Sequence, residues 1–263
     1  MATFMHNGVT AHRGDPVHYP ENTLPGFVAG AVCGADWVET DVHLTKDGVA
    51  VLCHDATTGR TADANLVIAE STLKELRELD FSHSFRVAHN LDVTICPRTV
   101  IPTLEEALQM ILWTKKARFS IQLKADGIEE EVARVVRRAG AVEWTGFNEG
   151  TLQRLINIRK FLPNTYIFYD VSKKDVPVED YIDVCCTNGF QELVMHYQYV
   201  TIEKCAKIRA AGIMPGAWNI GDAEKMWLLL GMGVFRIYAD APLVMLQVLK
   251  ESENIDILTS GDE

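Results

Sequence analysis

The chain has 263 residues, of which 48% are hydrophobic, and a formal net charge of -11. This composition excludes a disordered polymer, and the length suffices for one large hydrophobic core or two smaller ones. The negative charge argues against a nucleic-acid or anionic-membrane surface, because proteins bind phosphate polymers through an excess of lysine and arginine. A small anionic substrate would need local positive charge.

The six cysteines form no CxxC pair and have no histidine partner at zinc-finger spacing, so we expect buried free thiols. No basic segment precedes an apolar run near the first residue, and no apolar run reaches the length of a membrane span. These features predict a soluble protein of the reducing cytoplasm, without stable membrane insertion. They do not indicate an oligomeric state.

The first predicted strand begins at Val9 and ends at His12 and Arg13. The helix after it has two polar capping candidates, Asn22 and Thr23, with a proline close behind them. This pattern predicts a strand-helix unit whose strand ends in a histidine.

A second predicted strand covers residues 36–43. Because side chains alternate along a strand, Glu39 and Asp41 share one face. Two unpaired carboxylates are costly to bury, so water or a cation should meet them, and we expect a divalent cation. A turn then leads to a further strand over residues 49–54, which ends at His54 and could return over the same end of the sheet.

Residues 56–102 lack a regular pattern. Long irregular stretches in compact domains are often lids or binding loops, so we interpret this segment as an insertion over one end of the domain. Regularity resumes at Thr103, which together with an acidic residue three positions later predicts a capped helix.

The rest of the chain alternates between strands and helices. The predicted strands are 119–124, 141–147, 165–170, 192–196, 213–218 and 234–238, and the predicted helices are 128–138, 150–161, 178–186, 201–210, 222–230 and 242–250. With the first two strands they make eight units, which match a closed TIM (β/α)₈ barrel better than an open sheet. We therefore predict one domain over residues 1–263, an α/β barrel with a small insertion after the second strand.

Polar and aromatic residues gather at the carboxyl ends of these strands, which form the active face of such barrels. They are His12, Arg13, Glu39, Asp41, Gln122, Lys124, Phe147, Asp170, His196 and Trp218. We expect a functional site at this end of the barrel.

Several of these residues occur in motifs with a common order and spacing. The motifs are His12-Arg13-Gly14, Glu21-Asn22-Thr23, Glu39 with Asp41, His54-Asp55, residues 101–108, Gln122 with Lys124, Trp218 and residues 238–242. As a set, they strongly resemble the glycerophosphodiester phosphodiesterase family over nearly the whole chain. The resemblance implies a TIM barrel with a segment inserted after the second strand, in agreement with the alternation.

The resemblance implies that His12 and His54 are the general acid and base of phosphodiester cleavage, without deciding which is which. Histidine suits either role because it ionises near neutral pH. A single histidine at a strand end is more often structural. Two histidines in family motifs favour the catalytic interpretation.

By the same resemblance, Glu39 and Asp41 hold a hard divalent cation, Mg²⁺ or Ca²⁺. The alternative is a salt-bridged pair at the barrel rim. Where the family usually has a third acidic ligand, this chain has Gln122, whose amide oxygen can coordinate a cation but carries no charge. We therefore expect lower metal affinity and a more positive site.

Two basic residues, Arg13 and Lys124, would supply the positive charge that binds a phosphodiester. The alternative for both is a rim ion pair with Glu39 or Asp41. By resemblance, Trp218 packs beside the glycerol moiety, although an aromatic side chain at a barrel mouth can equally plug the core.

The remaining residues are expected to have structural roles. We expect Asp240 to cap the last helix. Packing roles are expected for His43, Phe147, Asp170 and His196, and solvated positions for His6, His18, His83 and His89.

Together, these features predict a metal-dependent phosphodiesterase of glycerol and lipid metabolism that hydrolyses glycerophosphodiesters to sn-glycerol 3-phosphate and an alcohol. One alternative is a lysophospholipase D-like enzyme for a related lipid headgroup, although the sequence lacks a basic amphipathic helix or an exposed apolar anchor. Another is a non-catalytic relative that binds a phosphodiester, which only Gln122 suggests.

Overall fold

The computed structural model describes residues 7–172 and 176–259, with side chains described as far as residue 252. His6 lies outside the described residues. The strands and helices follow the predicted order, and the strands of this described part are named in chain order. In this described part the strands are β1 (Val9–Ala11), β2 (Trp37–Leu44), β3 (Ala50–Leu52), β4 (Arg118–Leu123), β5 (Thr145–Glu149), β6 (Tyr166–Val171), β7 (Glu192–His196), β8 (Met214–Ile220) and β9 (Arg236–Ala239).

The sheet closes on itself. β1 pairs in parallel with both β2 and β9, and the remaining neighbours run β9, β8, β7, β6, β5, β4, β2. β3 stands apart from the ring, since it pairs antiparallel with β2 alone in the sheet order. The predicted TIM barrel is therefore confirmed as a closed barrel of eight parallel strands with one extra strand.

Helices connect the barrel strands and cover their outer faces. Within the described residues they are α1 (Leu24–Val32), α2 (Leu73–Leu76), α3 (His83–His89), α4 (Leu104–Thr114), α5 (Glu129–Arg138), α6 (Leu152–Phe161), α7 (Val178–Asn188), α8 (Ile202–Ala210), α9 (Ala223–Gly231) and α10 (Pro242–Thr259). None of the helices in this part of the chain is both long and apolar enough to cross a bilayer.

The fourth barrel strand starts later than predicted. Residues 142–144 form a 3₁₀ turn, closed by a hydrogen bond of 2.9 Å from the Trp144 amide to the Ala141 carbonyl. The strand then continues to Glu149, so the predicted strand over 141–147 is wrong at both ends. The shift places Asn148 and Glu149 at the carboxyl end of β5.

The side chains of β2 alternate as predicted. Val38 and Val42 are buried in the main core between the barrel and its helices. On the opposite face, Trp37 packs edge-to-face against Phe168 inside the barrel, with ring centroids 4.9 Å apart. Glu39 follows Trp37 on this face, one step nearer the carboxyl end of the strand, which positions its carboxylate above an aromatic floor.

The segment predicted as an insertion lies between β3 and α4. It carries α2 and α3, and it packs around its own apolar cluster, which includes Ile68, Leu76 and Phe81. The cluster also contains Val51 of β3, so the segment rests on the barrel's extra strand. The assignment of the whole chain to one domain stays a prediction.

All six cysteines are free thiols, as expected, but their burial varies. Cys53, Cys185 and Cys205 are buried, whereas Cys33 and Cys96 are half-buried. Cys186 is exposed, so the expectation of burial is wrong for it. The reason is helical geometry: on α7, Cys185 faces the core and the next residue turns away from it.

A buried ion pair lies inside the barrel below the aromatic floor. Arg236 Nε donates to Glu192 Oε2 at 2.9 Å, and both side chains are 0% exposed. We expect Glu192→Ala to destabilise the fold by about 3–5 kcal/mol, because it removes the carboxylate that hydrogen-bonds a buried guanidinium and leaves Asp36, at 3.8 Å, as the nearby negative charge. Urea unfolding measures the loss. Glu203→Ala, which breaks an exposed pair with Lys207 on α8, is the control and should change the unfolding midpoint little; equal midpoints for both variants would contradict the prediction.

Candidate active site

A polar cavity of about 340 Å³ opens at the carboxyl ends of the barrel strands. Its lining residues are His12, Arg13, Glu39, His54, Gln122, Lys124, Asn148, Glu149, Gly150, Asp170, Ser172, Trp218, Asn219 and Tyr238. Every residue proposed from sequence for catalysis, substrate or metal binding is in this set except Asp41. Asp41 lies directly behind the wall, 1% exposed, in contact with Lys124.

His12 follows β1 and is fixed by the last barrel strand. Its Nδ1 lies 2.6 Å from Oδ1 of Asp240, whose other oxygen accepts from Asn219 at 2.8 Å. Nε2 of His12 lies 3.9 Å from Glu39 Oε2. Burial disfavours the charged imidazole, but the hydrogen bond to Asp240 and the charge of Glu39 outweigh it and raise the pKa of His12.

The expectation that Asp240 caps the last helix is therefore wrong. Both of its carboxylate oxygens bind site residues, His12 and Asn219. The physical reason is barrel closure: β9 lies beside β1, so the residue after β9 meets the residue after β1.

His54 returns to the same cavity after β3, as predicted. Its Nδ1 lies 2.5 Å from Oδ1 of Asp55, so this histidine, like His12, has a carboxylate at Nδ1. Behind it, Nε2 of His43 lies 3.3 Å from the His54 carbonyl oxygen. Burial lowers the pKa of His54, and the charge of Asp41 offsets that effect only in part. The two cavity histidines therefore differ in their preference for the proton.

Glu39 and Asp41 are buried side by side on β2, and their pKa values move in opposite directions. Burial, reinforced by the charge of Asp41, raises the pKa of Glu39 to about 7. Burial also opposes ionisation of Asp41, but Lys124 and Arg13 hold its pKa at about 2. Asp41 is thus the fixed negative charge of the site.

Asp41 gathers the basic residues of the site. Its Oδ1 lies 2.9 Å from Lys124 Nζ, and its Oδ2 lies 3.3 Å from Arg13 Nε. Asn22, which has a left-handed backbone (φ +53°), donates to the same Oδ2 at 2.9 Å. Of the two capping candidates, only Thr23 caps α1. The ion pairs considered from sequence are present, and they are made with Asp41.

Arg13 also reaches Glu39, through its backbone. It too has a left-handed conformation (φ +52°), which is uncommon for a residue with a side chain. In this conformation its amide donates to Glu39 Oε2 at 3.0 Å. One residue therefore orients both acidic side chains.

Gln122 is the register neighbour of Asp41 on β4. Its side-chain oxygen accepts a hydrogen bond from Lys124. Glu39, Asp41 and Gln122 thus present oxygen atoms from two adjacent strands, whose spacing is about 4.8 Å in a sheet. Within the described ranges, no group of three or more His, Cys, Asp and Glu side chains could hold a metal ion, so any cation here would depend on the amide oxygen as well.

The opposite wall of the cavity consists of Trp218 and Asp170. The Trp218 indole nitrogen donates to Asp170 Oδ1 at 2.5 Å. Burial, with a contribution from the charge of Glu149, raises the pKa of Asp170 to about 7. Asp170 was expected only to pack, but it presents its carboxyl group to the cavity. No motif in the sequence singles it out.

Three other expected packing residues behave as predicted. Phe147 is fully buried in the main core, and His43 supports His54 from behind. His196 packs edge-to-face against Trp218, with ring centroids 4.8 Å apart. Of the histidines expected in solvent, His83 and His89 are exposed, and His18 is also exposed while paired with Asp15.

The chain was compared with known proteins. Residues 12–244 match the model of the glycerophosphoryl diester phosphodiesterase family. The glycerophosphodiester phosphodiesterase of Caldanaerobacter subterraneus subsp. tengcongensis is 27% identical over 252 residues, which cover 92% of this chain and 98% of that protein. The glycerophosphodiester phosphodiesterase of Bacillus altitudinis is 27% identical over 242 residues, covering 89% of this chain and 94% of that protein.

The chain is also similar to solved structures of phosphodiesterases. A phosphodiesterase of Oleispira antarctica, solved in complex with the product sn-glycerol-3-phosphate, is 25% identical with a TM-score of 0.80, covering 94% of this chain and 98% of that chain. The family match spans the barrel from His12, the first cavity residue, into α10. The chain therefore belongs to the glycerophosphoryl diester phosphodiesterase family of phosphoric diester hydrolases.

Proposed function

We propose that this protein hydrolyses glycerophosphodiesters to sn-glycerol 3-phosphate and an alcohol, with His12 and His54 as general acid and base. The observation that carries the proposal is a single cavity lined by both histidines, two basic residues and Glu39. The Oleispira antarctica relative, solved with sn-glycerol-3-phosphate, supports the choice of substrate.

The environment of the histidines supports proton transfer. Each has a carboxylate at Nδ1, from Asp240 for His12 and from Asp55 for His54. A carboxylate there fixes the tautomer and leaves Nε2 to exchange protons with a substrate. The pKa of His12 is raised and that of His54 is lowered, and a cooperating acid and base need such a difference.

Arg13 and Lys124 would bind the phosphate. In the absence of substrate their charges meet Asp41, which keeps both near one point beside the histidines. A phosphodiester would share these cations. Arginine offers a planar fork to two oxygens and lysine a compact charge, so together they can hold the group in one orientation.

The oxygen atoms near Glu39 fit a hard divalent cation such as Mg²⁺ or Ca²⁺. Oε2 of Glu39 accepts from the Arg13 amide, and among the described residues the buried Oδ1 of Asp41 has no hydrogen-bond partner, only the ammonium charge of Lys124 at 2.9 Å. Burial, with the charge of Asp41, raises the pKa of Glu39, and a bound cation would offset both effects. Glu39, Asp41 and the amide of Gln122 would hold the ion, which supplies charge stabilisation for the phosphate oxygens.

The reaction then needs no nucleophilic side chain. The neighbouring glycerol hydroxyl gives its proton to one histidine and attacks phosphorus, while the departing alcohol takes a proton from the other. Water opens the resulting cyclic phosphate with the proton transfers reversed. The chain's own contribution is orientation, proton transfer and positive charge.

An assay of product release tests the proposal. Purified protein, stripped with EDTA and then supplied with Mg²⁺ or Ca²⁺, should release sn-glycerol 3-phosphate from glycerophosphocholine, glycerophosphoethanolamine or glycerophosphoglycerol. Choline release from lysophosphatidylcholine in preference to all three would instead favour the lysophospholipase D-like alternative. Binding of a diester by calorimetry without any turnover would favour a non-catalytic relative.

Gln122→Glu should tighten Mg²⁺ or Ca²⁺ binding by roughly 10-fold or more, because a charged oxygen replaces a neutral one in the ligand set. Calorimetric titration of the cation measures the change. Asn148→Asp, which adds a carboxylate to the same cavity on the next strand, is the control and should have a smaller effect. Unchanged affinity in Gln122→Glu would remove Gln122 from the ligands.

A further inference from the structure

One arginine of the inserted segment, Arg60, does not line the cavity but contacts two carboxylates that hold cavity residues. Its Nε donates to Asp55 Oδ2 at 2.5 Å. Its Nη1 and Nη2 donate to the two oxygens of Glu21, each at 2.7 Å. A single guanidinium thus joins two carboxylates that belong to different loops of the barrel mouth.

Each of these carboxylates holds a residue of the proposed machinery. The second oxygen of Asp55 is the partner of His54 Nδ1 at 2.5 Å. Glu21 Oε1 also accepts from Arg13 Nη1, at 3.2 Å. Arg60 is therefore one side chain removed from both His54 and Arg13.

The charges at Glu21 show why the contact matters. Burial opposes ionisation of Glu21, but the hydrogen bonds from Arg60 and the charge of Arg13 lower its pKa. Glu21 stays negative between two guanidinium groups, and it shares its charge between them. Without Arg60, Arg13 would be the remaining guanidinium on Glu21, and Glu21 would draw it away from Asp41 and from an incoming phosphate.

The loop that carries Arg60 is held in one conformation by hydrogen bonds. Thr58 donates two hydrogen bonds across the loop. Its amide donates to the Leu66 carbonyl at 3.0 Å, and its hydroxyl donates to the Ala64 carbonyl at 2.6 Å. The Gly59 amide donates to Asn65 Oδ1 at 3.0 Å. The backbone on both sides of Arg60 is thus fixed, which suits a residue that must reach two partners at once.

We propose that Arg60 is a positioning residue, which fixes His54 through Asp55 and Arg13 through Glu21, so that the inserted segment completes the active site. The functional part of this inference rests on the proposed phosphodiesterase activity. Although none of the described residues of the inserted segment lines the cavity, this role gives the segment a part in the active site.

Arg60→Ala should lower kcat/KM for glycerophosphocholine by about 10–100-fold, the effect expected when a group that orients a site residue is lost. Arg60→Lys should regain little, because one ammonium cannot reproduce a planar three-point contact. The control is Arg134→Ala on α5, where an exposed arginine makes a two-point contact with Glu131 and neither residue lines the cavity. Arg134→Ala should keep wild-type kcat/KM.

Two further measurements separate positioning from general stability. Unfolding midpoints of Arg60→Ala and Arg134→Ala should stay within about 3 °C of the wild type, because exposed ion pairs contribute little. Millimolar guanidinium should restore part of the activity of Arg60→Ala. Wild-type kcat/KM in Arg60→Ala, or a lost activity that guanidinium leaves unchanged together with a much lower midpoint, would overturn the proposal.

A double-mutant cycle tests the route through Asp55. In an Asp55→Ala background, Arg60→Ala should reduce kcat/KM by a smaller factor than in the wild type, because one of its two connections is already absent. Fully multiplicative effects would show that Arg60 does not act through Asp55, and would overturn that half of the inference.

A measurement that does not depend on catalysis tests the positioning role of Arg60 separately from the proposed function. The downfield Nδ1 proton of His54 in the NMR spectrum, assigned by its loss in His54→Ala, should move in Arg60→Ala and stay in place in Arg134→Ala. This result is expected whether or not the protein cleaves a diester. An unmoved signal would overturn the positioning role, whereas an inactive wild type with a moved signal would overturn only the proposed function.

Discussion

His12→Ala should lower kcat for glycerophosphodiester hydrolysis by about 10²–10⁴-fold, the usual contribution of a positioned general acid or base. His12 lies between Asp240 and Glu39 in the cavity, and water entering the vacated space would not be held in the same position. Steady-state kinetics with glycerophosphocholine and saturating Mg²⁺ or Ca²⁺ measures the loss. His54→Ala should behave in the same way.

A histidine in the following loop provides the matched control. His18 is exposed and paired with Asp15, outside the cavity lining, so His18→Ala should retain wild-type kcat. If His12→Ala and His18→Ala had equal kcat, proton transfer by His12 would be excluded.

Asp240→Asn should lower kcat by about 10–100-fold with little change in KM, because the carboxylate that orients His12 is lost while the phosphate-binding residues are untouched. An asparagine at this position can present its amide group to His12 in the wrong orientation and offers no charge to a protonated imidazole. The split between kcat and KM distinguishes orientation of His12 from substrate binding.

Asp222 is the control for Asp240→Asn, because it has the helix-capping role that was expected of Asp240. Its side chain does cap a helix, accepting from the Lys225 amide at 3.0 Å at the start of α9. Asp222→Ala should cost about 0.5–2 kcal/mol of stability and leave kcat unchanged. Asp240→Asn should show the opposite pattern. If both variants lost stability and kept wild-type kcat, the contact between Asp240 and His12 would not contribute to catalysis.

The residues of the site that the sequence predicted correctly are those whose positions follow from the strand pattern. The two-residue repeat on β2 placed Glu39 and Asp41 on one face, and the strand-end rule placed Lys124 and Trp218 at the same mouth. These predictions depend only on which strands are parallel and where each ends. The alternating pattern contains that information directly.

The contacts that were missed depend on closure and on side-chain direction. Asp240 and His12 are 228 residues apart, and they meet only because β9 closes against β1. Arg60 comes from an irregular segment whose path no period specifies, and a loop's conformation is what a sequence pattern reveals least. Asp170 lies on a predicted strand, but the strand pattern does not reveal that its carboxyl group lines the cavity and accepts a hydrogen bond from the Trp218 indole.

The interior of the barrel gives the site a rigid base. Trp37, Phe168 and Tyr238 pack together at the base of the cavity, which Tyr238 helps to line, and the guanidinium of the buried Arg236–Glu192 pair packs against Phe168. Side chains held on such a floor lose little further freedom when a substrate binds. The cavity residues on strands are therefore held in place by the barrel itself. Those on loops depend on contacts with other side chains, as His54 does with Asp55.

The most direct test of the central claim is a crystal structure of the protein with sn-glycerol 3-phosphate and Mg²⁺ or Ca²⁺. We predict that the phosphate lies within hydrogen-bond distance of Arg13 and Lys124 and within reach of both His12 and His54, with the cation on the oxygens of Glu39 and Asp41. A phosphate bound outside this cavity, or one that only a single histidine can reach, would contradict the account.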